Sequence, residues 1–178
     1  MDKLISPVGE DWSADREAVS AISTWERDTG LRLPDDYRGF MLRYDGGRPY
    51  PLMFRHTALE AEGFENPTEH YLDPLYSWRR VASWNRELGN RLPPGCMSIG
   101  ADPGLLEIAL SLRDEDHGAI YSWVRNWGAW GSEDNSYLCL QAPSFRAFTT
   151  SLFDHDDRSG YDYWHTPRRE QLKRTLDI

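Results

Sequence analysis

The segment 30–47 constrains the fold more than any other part of the chain. Pro34 fits the first position of a helix, where its missing N–H would have no partner, and two aspartates follow where the helix dipole favours negative charge. Apolar residues then recur at helical spacing: Tyr37, Phe40, Met41 and Tyr44. Gly46 and Gly47 supply the positive φ that ends a helix and redirects the chain. The segment therefore predicts a short helix with sharp ends and one buried stripe.

Three further segments carry apolar residues at the spacing of an amphipathic helix. They span 13–29, 79–88 and 144–152, and Ser13 is a candidate cap for the first. A last helix is predicted over 166–176. Helices are therefore expected both before and after the strand-forming part of the chain.

The strongest alternation runs from Leu106 to Leu112, where apolar residues take every second position. This pattern predicts a strand with one buried face. Residues 118–124 are predicted to return as the second strand of a hairpin after the polar turn 113–117. Shorter strands are predicted at 51–55, 96–99 and 137–141. This mixture indicates an α+β fold in which helices cover a mostly antiparallel, twisted sheet.

The length of 178 residues and a hydrophobic fraction of 39% allow one sizeable core, so we expect a single domain over 1–178. No apolar run approaches the roughly 20 residues that span a bilayer, and the N-terminus lacks the apolar core of a signal peptide. We therefore expect a cytoplasmic protein with no membrane partner. Cys96 and Cys139 are far apart and lack a CxxC partner, which favours buried reduced thiols over a disulfide or a metal site.

The net charge of −9 gives the chain a long-range field that repels phosphate backbones and attracts basic surfaces. Direct binding to nucleic acid is therefore disfavoured. The most one-sided stretch is 56–78, which carries five carboxylates and no Lys or Arg. Its acidic part, 60–69, has two interpretations: an ordinary solvated segment, or part of a surface that meets a basic partner.

The loop 126–135 combines Trp127 and Trp130 with Glu133 and Asp134. Large aromatic side chains with an acidic rim are typical of a binding hot spot. The alternative is that the tryptophans fold back and cover the core. The next candidate contacts with a partner lie in the acidic turn: Asp114, Glu115 and Asp116.

Short motifs of common enzyme classes do not occur in the sequence: it has no HExxH, GxSxG, P-loop or GxGxxG pattern. The acidic cluster 154–157 lacks the spacing of a calcium-binding loop. We therefore assign no catalytic residue, cofactor or metal ligand, and expect a protein that is not an enzyme. The enzyme alternative requires a pocket where distant carboxylates and a histidine converge.

Segment 30–47 resembles the signature of the Smi1/Knr4 family, part of the SUKH superfamily, in which a Leu-Pro-acidic-Asp-Tyr segment precedes a Phe-Leu pair and an Asn-Gly-Gly turn. Asp45 replaces the Asn, and both residues tolerate the left-handed region. Residues 99–124 resemble the family's Ile-Gly, acidic loop and Gly-x-Ile-Tyr-x-Trp pattern, and 144–148 its Ser-Phe-x-x-Phe helix. The structural motif comprises Leu33, Pro34, Asp36, Tyr37, Phe40, Gly46 and Gly47.

The resemblance extends over roughly 18–54, 96–124 and 143–153, and it implies the SUKH fold. We interpret 56–94 as an insertion and 154–178 as a helical extension. The resemblance implies a bacterial immunity protein that neutralises a cognate polymorphic toxin, many of which are nucleases, by stoichiometric binding. The carboxylates would then stand in for phosphates in the toxin's basic cleft. A protein-interaction adaptor or regulator without a toxin partner is the alternative. The oligomeric state is left open.

Overall fold

A computed structural model of the protein describes residues 3–8, 12, 16–56, 68–104, 106–153 and 172–178. The described elements in chain order are β1 (Leu4–Ser6), α1 (Arg16–Thr29), α2 (Asp35–Tyr44), β2 (Arg48–Tyr50), β3 (Met53–His56), β4 (Thr68–Tyr71), α3 (Trp78–Leu88), β5 (Cys96–Ala101), β6 (Leu106–Ser111), β7 (Ile120–Val124), β8 (Cys139–Ala142), α4 (Phe145–Ser151) and β9 (Arg174–Thr175). Short 3-10 turns at Gly89–Arg91 and Asp114–Asp116 follow α3 and β6. The predicted α+β class is confirmed.

The described strands form three antiparallel sheets, where the sequence predicts one. The largest has the strand order β5-β6-β7-β8, and the others are β2-β1-β9 and β3-β4. Leu75 links two of them, since its backbone pairs with Gly47 beside β2 and bridges to Gly100 of β5. The backbone of Leu75, which lies outside the named strands, therefore connects the turn after α2 to the four-stranded sheet.

Helix α2 has the sharp ends that its sequence predicts. Pro34 precedes it, and the Pro34 carbonyl accepts the first helical hydrogen bond. At the other end Asp45 takes a left-handed conformation with φ 47°, and Gly46 and Gly47 follow with φ 89° and 146°. The Asp45 side chain also accepts a hydrogen bond from Trp78 N at 2.7 Å. The turn after α2 therefore sets the start of α3.

The structural motif packs α2 against α4. The Phe145 ring lies 5.1 Å from the Tyr37 ring and 4.9 Å from the Phe40 ring, measured between centroids. Asp36 accepts a hydrogen bond from Arg146 N at 2.8 Å, which joins the first turns of the two helices. Through these contacts, Asp36, Tyr37 and Phe40 pack α2 against α4.

Strand β6 is buried on both faces, whereas its alternating pattern predicts one buried face. Helix α3 covers the face that carries Ser98 and Glu107: Asn85 of α3 exchanges hydrogen bonds with Ser98, and Trp84 donates to Glu107. The opposite face carries Ser122, whose Oγ lies 2.6 Å from Nδ1 of the buried His56 of β3. The polar positions of β6 are therefore core positions, because a helix lies over them.

The C-terminal residues differ from the prediction. Arg174–Thr175 form a strand that pairs with β1, so the helix predicted over 166–176 does not reach its expected end. The edge of β1 offers unpaired backbone groups, and pairing with it satisfies backbone hydrogen bonds of this segment.

Several predicted features lie outside the described residues: the cap at Ser13, the acidic residues Glu60 to Glu65 and the cluster 154–157. The interpretation of 56–94 as an insertion stays a prediction. Neither cysteine forms a disulfide; Cys139 is buried as predicted, whereas Cys96 is partly exposed. Within the described part of the chain, no helix is both long and apolar enough to cross a membrane.

Candidate partner-binding groove

A surface groove of about 740 Å³ lies between α1, α3 and the start of β5. Its walls are mainly apolar and include Trp25, Leu31, Trp78, Val81, Pro93, Leu112 and Trp130. Arg86 contributes a charged side chain to the lining. A groove of this size with aromatic walls can receive side chains of a partner.

Helices α1 and α3 place two of the tryptophans. The rings of Trp25 and Trp78 meet edge to face, with centroids 5.5 Å apart. Ser77 caps α3 by accepting a hydrogen bond from Arg80 N, and Asp45 bonds to Trp78 N. This wall of the groove is therefore fixed before any partner arrives.

Residues 125–135, which we call the tryptophan loop, are held by the side chain of Asn135. This side chain is 2% exposed, and its Oδ1 accepts a hydrogen bond from Trp123 Nε1 at 2.8 Å. Its Nδ2 donates to the carbonyls of Arg91 and Gly128 at 2.9 and 2.8 Å. The loop is therefore ordered against the end of α3, which lowers the entropy cost of binding through it.

A buried ion pair attaches the start of the tryptophan loop to the sheet. Glu107 is 1% exposed, and its Oε1 accepts a hydrogen bond from Arg125 Nη1 at 3.2 Å. Its Oε2 accepts from Tyr76, Trp84 and Ser98. Both oxygens of the buried carboxylate therefore have donors, as burial of a charge requires.

The two tryptophans of the loop differ in position. Trp127 is 88% exposed, and the Arg91 guanidinium lies over its ring with Cζ 5.5 Å from the centroid. Trp130 is half-buried, packs against the core and lines the groove. Glu133 and Asp134 are exposed on the same loop. One tryptophan thus lies on the surface, and the other partly covers the core.

The acidic turn borders the same groove. Leu112 lines the groove, and its N–H donates to Gly95 O at 2.8 Å. Asp114 and Glu115 follow with exposed side chains. The structure therefore brings to one groove two loops that are separate in the sequence.

Asp116 has several internal partners, whereas Glu115 forms one exposed ion pair, with Arg113 Nε at 3.7 Å. The Asp116 carboxylate accepts hydrogen bonds from Arg113, Ser111 and Tyr121. Burial alone would raise the pKa of Asp116, but these hydrogen bonds lower it to about 2. Asp116 therefore shapes the turn that presents Asp114 and Glu115.

Charged side chains of both signs are exposed on the elements around the groove. Around the groove, exposed carboxylates occur on two loops and arginines on α3.

A cluster of polar side chains in the core is the nearest match to the enzyme alternative. His56 Nδ1 lies 2.6 Å from Ser122 Oγ, and His70 Nδ1 lies 2.8 Å from Asp102 Oδ2. Ser122 and His56 are buried, whereas His70 and Asp102 are partly exposed, and none of the four lines the groove. The groove itself contributes Cys96, and burial raises the pKa of this thiol to about 11. Within the described residues, no group of three His, Cys, Asp or Glu side chains is placed to hold a metal ion.

Sequence reasoning missed the residues that hold the candidate site in place. Glu107 stands among the polar positions of an alternating strand, and Asn135 is one of several polar residues in a loop. The burial of both depends on distant segments, so no local pattern distinguishes them from surface residues.

The fold and its groove define an α+β protein with a preformed apolar surface site. A model of the SMI1/KNR4 family, also named SUKH-1, matches residues 18–151. The chain belongs to this family. No curated protein and no solved structure gives a significant match to the chain.

Proposed function

We propose that this protein is a bacterial immunity protein that binds a cognate polymorphic toxin through the groove and neutralises it by stoichiometric occlusion in the cytoplasm. The observation that carries the proposal is the preformed aromatic groove with an ordered tryptophan loop at its border. Membership of the SMI1/KNR4 family supports the same function, since the family consists largely of such immunity proteins.

The geometry of the site suits binding better than catalysis. Its lining is mostly apolar, with Arg86 as a charged member, and His56 and His70 lie elsewhere in the fold. A binding site needs apolar anchors in a dry centre and polar groups at the rim. Trp130 provides such an anchor, and the exposed carboxylates of the two loops provide the rim.

A toxin that cleaves nucleic acid has to hold a polyanion, so we expect its active cleft to be basic. Asp114 and Glu115 on one loop, and Glu133 and Asp134 on the other, are exposed and can meet such a cleft in place of phosphates. Charge of this sign steers a basic partner toward the site and sets its orientation.

The test is to express the protein with a catalytically inactive form of the toxin encoded beside its gene. We expect a one-to-one complex by size exclusion with light scattering, and full inhibition of the active toxin at equimolar protein. Ala82→Arg, which fills the groove from α3, should abolish both, whereas Thr150→Arg on the exposed side of α4 should change neither. Absence of a complex, or a complex in which the toxin stays active, would overturn the proposal.

An adaptor function is the second candidate, and the mainly apolar lining of the groove favours it. Such a lining recognises a partner through apolar contacts more than through the net charge of −9. A pull-down of the tagged protein from its native cytoplasm separates the two functions. Capture of a regulatory protein in place of the neighbouring toxin would support the adaptor.

A further inference from the structure

The flank of α3 that faces away from the groove presents arginines without carboxylate partners. Segment 78–91 carries four Arg and one Glu in a chain whose net charge is −9. In the part of the chain that the structure describes, no carboxylate lies within ion-pair distance of Arg80 or Arg91. Most other described arginines, such as Arg48 and Arg113, have such a partner. Among the described groups, the Arg80 guanidinium therefore has no bound acceptor, whereas Arg91 donates through Nε and Nη2 to the carbonyls of Leu88 and Glu87 and keeps Nη1 unbonded.

Aromatic rings hold these guanidinium groups in place. Arg80 lies over the Trp84 ring with Cζ 4.4 Å from the centroid, and Arg125 lies over the same ring at 5.1 Å. Arg91 lies over Trp127 at 5.5 Å. Such contacts orient a guanidinium while leaving its edge free to bind an anion. We call Arg80, Trp84, Arg91, Arg125 and Trp127 the arginine–tryptophan surface.

This surface is separate from the groove. At about 100° per residue along a helix, Arg80 and Trp84 lie on one flank of α3, and Ala82 and Asn85, which line the groove, lie on the other. Arg91 lies on the same flank as Arg80 and Trp84, because its guanidinium donates hydrogen bonds to the backbone carbonyls of Glu87 and Leu88 at the end of α3. A partner can therefore occupy one surface and leave the other open.

We propose that the arginine–tryptophan surface is a second docking site, which binds an acidic segment of a partner protein independently of the groove. Arg80 forms a charge-assisted, bidentate bond to a carboxylate, Arg91 adds a single bond through Nη1, and the ring of Trp127 covers an apolar side chain of the same segment. A nucleic acid would also offer anions and stacking partners. The net charge of −9 repels a long polyanion, so the proposal commits to a protein segment.

The test uses the full chain and three fluorescein-labelled probes: the peptide Glu-Glu-Leu-Glu-Glu-Leu-Glu-Glu, its counterpart with Lys for Glu, and single-stranded oligo-dT. We expect saturable binding of the acidic peptide in fluorescence anisotropy, weakening with salt, and no binding of the lysine peptide. In an NMR titration the indole N–H signal of Trp127 should shift. Arg80→Gln with Arg91→Gln should weaken binding at least tenfold.

Arg146→Gln is the matched control, because Arg146 is exposed on α4, and it should bind the acidic peptide like the wild type. Trp127→Ala tests the surface without changing a charge and should also weaken binding. Ala82→Arg in the groove should leave peptide binding unchanged, so this proposal and the proposed function fail separately. An equal loss in Arg146→Gln, no saturable binding, or tighter binding of oligo-dT than of the acidic peptide would overturn the proposal.

Discussion

The guanidinium of Arg125 donates a hydrogen bond to the buried carboxylate of Glu107 over 3.2 Å, and this pair ties the tryptophan loop to β6. Arg125 is the first residue of the loop, and Asn135 fixes its last turn. The loop that presents Trp127 and Trp130 is therefore supported at both ends by buried polar groups.

Replacing Arg125 with Met should lower the free energy of unfolding by about 3 kcal/mol, since it leaves the Glu107 charge buried without its cation. Adding Glu107→Gln should recover part of that loss, because the uncompensated charge is then gone. Urea denaturation of the single and double variants measures this coupling.

Arg27→Met is the control, since the Arg27–Asp28 pair is exposed and should contribute less than about 1 kcal/mol. If the effects of Arg125→Met and Glu107→Gln on the free energy of unfolding are strictly additive, the two side chains are not coupled.

Gly46→Ala should destabilise the fold far more than Gly30→Ala, although both glycines have positive φ. A Cβ on Gly46 would lie 2.7 Å from the backbone atoms Ser77 N and Tyr76 C, whereas nothing lies within 4 Å at Gly30. We expect a loss of about 1 kcal/mol for Gly30→Ala from left-handed strain alone, and of more than about 3 kcal/mol for Gly46→Ala. Thermal and urea denaturation give both values. Equal losses would show that the backbone at Gly46 can move.

Trp127→Ala and Trp130→Ala should separate binding from stability. Trp127 is almost fully exposed, so its loss should leave the free energy of unfolding within about 0.5 kcal/mol of the wild type. Trp130 packs against the core and lines the groove, so its loss should lower stability and also weaken toxin binding by more than about 2 kcal/mol. Calorimetry for binding and urea denaturation for stability give the two readouts. Toxin binding that survives Trp130→Ala in a folded variant would remove this side chain from the interface.

Reversing Asp114 and Glu115 to Lys should slow association with the toxin and flatten its salt dependence, because both carboxylates are exposed on the turn that follows the groove residue Leu112. Stability should change little. Asp116→Asn is the contrasting variant: it should lower stability at neutral pH, since Asp116 accepts hydrogen bonds from Arg113 and Tyr121. Stopped-flow association rates at two salt concentrations test the first pair. An unchanged on-rate would exclude the acidic turn from the encounter surface.

His56 should make the fold sensitive to mild acid. Burial lowers the pKa of His56 below 6.5, and the neighbouring His70 acts in the same direction while Asp102 opposes it. Because the unfolded chain then binds a proton that the native state rejects, the stability is complete above about pH 6.5 and falls as the pH drops below that value.

The variant His56→Asn should reduce this slope, since an amide can still form the hydrogen bond with Ser122 in either direction but cannot titrate. The free energy of unfolding measured by urea at about pH 7.5 and about pH 5.5 gives the slope. His117→Gln is the control, because His117 is exposed and its Nε2 contacts only a backbone carbonyl, that of Arg32, among the described groups. If His56→Asn keeps the slope of the wild type, another group is responsible.

Local patterns predicted the elements with strong signals close in sequence. The apolar stripe and the two glycines predicted α2 and its ends, and alternation predicted β6. The paired aromatics Phe145 and Phe148 predicted α4. In each case the spacing of the apolar residues and the residues at the ends of the element favour the same secondary structure. Local sequence is therefore nearly sufficient to specify the element.

Patterns failed where a distant segment decides the outcome. The C-terminal residues 174–175 have the composition of a helix end, but β1 offers a strand edge that pairs with them. Glu107 has the sequence context of a surface residue, but α3 covers it and supplies Trp84 as a donor. Propensity is a weak local preference, and tertiary contacts override it in both cases.

The sequence by itself determined the α+β class, the family and the loops that carry the candidate contacts, because these depend on composition and on residues near one another in the chain. Only the tertiary structure decided that Trp130 and Leu112, which precedes the acidic turn, line one groove, that Asp116 bonds internally and that Arg80 lies on a flank of α3 away from that groove. Those relationships join residues far apart in sequence. They arise because burying the apolar faces of α3 and the sheet brings the polar groups beside them into fixed positions.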